Sequence, residues 1–104
     1  MPFYEEPYFF QKTIMSGLQG AWMLLREAVV EAFPFSESER LLFHVDEAMS
    51  WESVRDLEKM RKTLLLIRNI AVQNQAPERI MICLEKVRAI FEEVMESIAE
   101  GEIL

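Results

Sequence analysis

One hundred and four residues, 51% hydrophobic and 28% charged, suffice for one small core and a single domain. With 3 Gly, 4 Pro and 1 Cys, the composition excludes collagen-like, disulfide-scaffold and disordered chains and points to a helical protein. A formal net charge of -7 argues against broad adhesion to nucleic-acid phosphates or anionic lipid, and one cysteine, Cys83, with one histidine, His44, cannot build a zinc or iron–sulfur site.

Residues 1–6 hold Pro2, Phe3, Tyr4, Glu5 and Glu6 ahead of Pro7, and read as an extended arm whose rings, with those of Tyr8, Phe9 and Phe10, must be covered by something. A first helix is expected over about 8–33. Ile14, Leu18, Ala21, Leu25, Ala28 and Ala32 share one face, widened by Met15, Trp22, Val29 and Phe33, whereas Met23 and Val30 point away. Gly17 and Gly20 inside it are read as permitting close helix packing. Pro34 ends it. The longest uncharged run, Thr13 to Leu25, is 13 residues, short of the roughly 20 a bilayer span requires, and no basic segment precedes it. The chain is therefore expected to be complete, untargeted and cytoplasmic, with no membrane contact.

Ser36 with Glu39 forms a capping-box pattern that opens a short second helix, about 37–49, with Leu41, Leu42, Val45 and Met49 inward. Ser50 is read as the cap of a third helix, 51–74, with a seam of Leu57, Met60, Leu64, Ile67 and Ala71. Pro77 opens a fourth, 77–100, with a seam of Ile80, Leu84, Val87, Phe91, Val94 and Ile98 before Gly101. These elements predict an all-α fold, a compact four-helix arrangement in which the third and fourth helices form an antiparallel hairpin.

Chemistry is sparse. His44 lies one turn from Arg40 and Glu47, and an enzyme would have to rest on those three; tying His44 to Glu47 as structure is the simpler reading. Arg40 and His44 are similar in type to the Arg/His motif of the all-helical HEPN ribonucleases, but their shorter spacing and Leu41 after the arginine depart from it, and no activity is carried over. No Glu-x-x-His motif supports a di-iron site, and Cys83, beside Ile82 and Leu84, reads as a small core residue. No catalytic residue, cofactor or metal is expected.

Charge is uneven along the chain. Arg55, Lys59 and Lys62 form a basic stripe on the third helix that could touch phosphates, while Glu85, Glu92, Glu93, Glu96 and Glu100 form an acidic face on the fourth. Leu66, Ile70 and Ile82 fall outside the seams and are read as a surplus apolar interface. The sequence thus points to a non-catalytic, acidic helical accessory or regulatory subunit that binds another protein or itself, as a homodimer. The alternatives are a nucleic-acid-linked regulator using the basic stripe and an acidic inhibitor of a basic, nucleic-acid-binding partner.

Overall fold

The computed structural model describes residues 7–99, with side chains from Met15 onward. The arm at 1–6, the side chains of Tyr8, Phe9, Phe10 and Ile14, and Glu100 lie outside the described residues. Four helices and no strand occur among the described residues: α1 (Pro7–Ala32), α2 (Ser38–Ser53), α3 (Leu57–Gln73) and α4 (Glu78–Ala99).

The apolar periodicities decide what is buried. On α1, Met15, Leu18, Ala21, Trp22, Leu25, Ala28 and Val29 enter the core, and Met23 and Val30 face out. Helix α2 buries Leu41, Val45 and Ala48, with Leu42 and Met49 partly covered. From α3 come Met60, Leu64, Ile67, Ile70 and Ala71, and from α4 Ile80, Leu84, Val87, Phe91 and Val94. Each helix packs on two others in the order α1–α2–α3–α4 and back to α1, and among the described residues the diagonal pairs do not meet. The close pairs are α1 with α4 and α2 with α3, while α3 and α4 are the most open pair in contact. Polar ties clip one end: Ser36 Oγ donates to Asn74 Oδ1 at 2.9 Å, and Arg79 pairs with Glu31.

The helix ends differ from the sequence reading at the α2–α3 boundary and at the start of α2. Helix α2 runs to Ser53, and Ser50 caps nothing: its hydroxyl donates to the Glu47 carbonyl at 2.8 Å. The turn comes at Arg55, at φ 61, where the Arg55 and Asp56 amides donate to the Glu52 and Trp51 carbonyls at 3.1 and 2.9 Å, closing a Schellman motif. Asp56 then caps α3, Oδ1 accepting from the Lys59 amide at 3.2 Å. The same motif ends α3, with Gln75 at φ 52 and the Ala76 amide on the Ala71 carbonyl at 2.9 Å. The box expected from Ser36 and Glu39 does not form; Glu37 precedes α2 at φ 64, and Ser38 Oγ accepts from the Phe35 amide at 3.2 Å.

Two further expectations are corrected. A Cβ added at Gly17 or Gly20 would meet nothing within 4 Å, so neither glycine is needed for close packing. Ile70 is only 3% exposed and belongs to the core. At 3.6 residues per turn it lies about 60° from Ile67, still on the buried arc, whereas Leu65 lies about 160° away.

Candidate functional site

Helix α3 carries a second stripe, Arg61, Leu65, Arg68 and Val72, at spacings of four, three and four, the repeat of its core seam rotated toward α4. Helix α4 answers with Met81, Glu85, Arg88 and Glu92 at the same spacings. Between them lies a groove of about 670 Å³. Leu64, Leu65 and Val72 from α3 and Met81, Leu84 and Phe91 from α4 supply its apolar surface, with Arg61, Arg68, Glu85, Arg88 and Glu92 around them.

Leu65 is 53% exposed and Val72 55%, so a strip of branched apolar surface lies open along the groove. Arg88 holds the acidic side: its guanidinium binds Glu85 and, at 2.7 Å, Glu92. That contact pulls the Glu85 carboxyl below the ordinary glutamate range, helped by the positive charges of Arg88 and Arg68. Arg61 pairs with Glu58 at 2.5 Å. Arg68 has no ion pair among the described residues, although its charge reaches Glu85 across the groove.

Comparison with family models, with curated proteins and with solved structures finds no match.

The residues singled out from sequence fall in several places. Of Leu66, Ile70 and Ile82, only Ile82 is exposed, at 56%; Leu66 is half-buried against the core and Ile70 is inside it. Arg55, Lys59 and Lys62 are exposed, but Arg55 sits in the α2–α3 turn, and Lys59 lies 4.8 Å from the Trp51 ring centroid and 3.8 Å from Asp56. Lys59 is thus partly engaged within its own chain. Glu85, Glu92, Glu93 and Glu96 are all exposed; Glu85 and Glu92 belong to the groove, and Glu93 and Glu96 flank a shallow hollow on α4 with Ile90 and Met95.

His44 is largely buried, and its Nδ1 lies 2.9 Å from Glu47 Oε1. Arg40 turns to Glu37 at 3.8 Å, so the three do not converge. Among the described residues no group of three His, Cys, Asp or Glu side chains could hold a metal, and no helix is long and apolar enough to cross a membrane. The groove itself was not singled out from sequence. The stripe of Arg61, Leu65, Arg68 and Val72 was the available signal, alternating charge with branched apolar residues one position on from the core seam.

Proposed function

We propose that the chain is a non-catalytic interaction module, an acidic helical accessory or regulatory subunit of the cytoplasm, and that its partner seats on the face between α3 and α4. One observation carries this reading: an apolar trough several helical turns long, bordered by charges, in which Leu65 and Val72 are left half open. Long grooves of this kind accept an amphipathic helix, whose apolar face covers the strip while its flanking charges meet the rim. Of the other exposed large apolar residues, Met23, Leu24 and Val30 stand on α1, Phe43 on α2, Val54 in the α2–α3 turn and Ile82 on α4, and none of them lines the groove. The short link at 74–77 supports an antiparallel α3/α4 hairpin, which aligns the two stripes along the groove.

A protein partner is favoured over nucleic acid because Lys59 of the basic stripe is already drawn to Trp51 and Asp56. An enzyme reading has little to stand on, since Arg40 and His44 are committed to different glutamates. His44→Gln is expected to leave function intact, with its melting curve as the control. Photoactivatable residues at positions 65 and 72 should crosslink to a protein in the native cell, while the same groups at 24 and 43 should not. Crosslinks confined to 24 and 43, or absent from all four positions, would overturn the reading.

A further inference from the structure

We infer that the occupant of this face is a second copy of the chain, seated with its α3 over α4 of the first, an inference that rests on the α3/α4 groove being the interaction face. Charge complementarity carries it. In an antiparallel hairpin, Arg61 stands level with Glu92, Leu65 with Arg88, Arg68 with Glu85 and Val72 with Met81; the pull of Arg68 on Glu85 fits that register. A two-fold axis along the groove lays each copy's α3 over the other's α4 and keeps those levels. Arg61 and Arg68 of one copy then meet Glu92 and Glu85 of the other twice, once on each side of the axis. Turning the axis across the groove would instead reverse the levels, setting Arg61 of one copy against Val72 of the other and Arg68 against Leu65, so neither arginine of α3 meets a carboxylate. Only the axis along the groove gives both Arg61 and Arg68 a carboxylate.

The apolar side agrees. Leu65 and Val72 of each copy cover the groove of the other, Val72 at the level of Met81, and Arg68, which has no ion pair in its own chain among the described residues, comes level with the Glu85 carboxylate. The face is about 25 Å long and two helix diameters of about 10 Å wide, so the two copies together cover roughly 1,000 Å². That stands at the lower end of specific interfaces, which sets a dimer that forms at micromolar rather than nanomolar concentration.

Light scattering at tens of micromolar should give the mass of two 12.2 kDa chains for the wild type. Two variants, Arg61→Glu with Arg68→Glu and Glu85→Arg with Glu92→Arg, should each run as monomers, with dimerisation weakened about tenfold or more by like-charge contacts. Mixed in equal amounts, they should recover the dimer, because each then presents the complement of the other. Leu65→Glu, at a half-exposed position, provides a second monomeric variant should either charge reversal fail to fold. A monomeric wild type overturns the second copy while leaving crosslinks at 65 and 72 to decide the groove. A dimer indifferent to Leu65→Glu and to both charge reversals places the second copy on another face and overturns the inference, again leaving the crosslinks at 65 and 72 to decide the groove.

Discussion

Leu65 and Ile70 sit five positions apart on α3, and glutamate at each should have opposite consequences. Ile70 is 3% exposed, so Ile70→Glu forfeits most of the roughly 1.5–3 kcal/mol of a buried aliphatic side chain and leaves a carboxylate without a partner in the core, several kcal/mol more. The total exceeds about 4 kcal/mol, against a stability of roughly 5–15 kcal/mol for a chain of this length. Leu65 is 53% exposed, and Leu65→Glu should cost about 1 kcal/mol or less in the monomer. Urea titration followed by circular dichroism measures both. Retention of the Ile70→Glu fold together with collapse of Leu65→Glu would mean that α3 is rotated, with Ile70 outside and the groove stripe inside.

Gly17→Ala should stabilise the fold by about 0.5–1 kcal/mol, since α1 gains a helix former and the new methyl meets nothing; an unchanged or lower melting temperature would contradict that environment. Trp22 is fully buried and its indole N–H has no partner among the described residues, so Trp22→Phe removes an orphan donor worth about 1–3 kcal/mol while losing a similar amount of packing. A net change within about 1 kcal/mol is expected, far smaller than the roughly 3–5 kcal/mol of Trp22→Ala; equal losses would show that the indole N–H is satisfied. Glu85, held below its ordinary range by Arg88, contributes stability above the unfolded glutamate pKa of about 4.3 and loses it as pH falls through the lower folded value. Side-chain carbon shifts should show Glu85 titrating below that reference and returning toward it in Arg88→Gln.

Most of the core was legible because helical burial follows spacing: the seams of α1 and α4 match the buried residues with few exceptions. The α2–α3 boundary was not, because a helix stop is read from glycine. Here the left-handed position is filled by Arg55, and again by Gln75 at the end of α3, so the backbone hydrogen bonds of the Schellman motif do without the usual sequence mark. Ile70 was misplaced because a seam alternating by three and four was read as a narrow line, while α3, covered by α2 and α4 together, buries an arc wide enough to include Thr63 and Ile70. His44 beside Glu47 was readable from a spacing of three. The groove was not, since it depends on which two of four helices stand apart, and that follows from competition among all the pairs rather than from one stripe.

Hydroxyl-radical labelling across a concentration series tests the central claim most directly, because it reads which face becomes covered. Leu65 and Val72 should be labelled in dilute protein and protected as concentration rises through the micromolar range, while Leu24 and Phe43 stay equally reactive throughout. Protection confined to Leu24 or Phe43, with Leu65 and Val72 reactive at every concentration, would place the interface on another side of the bundle.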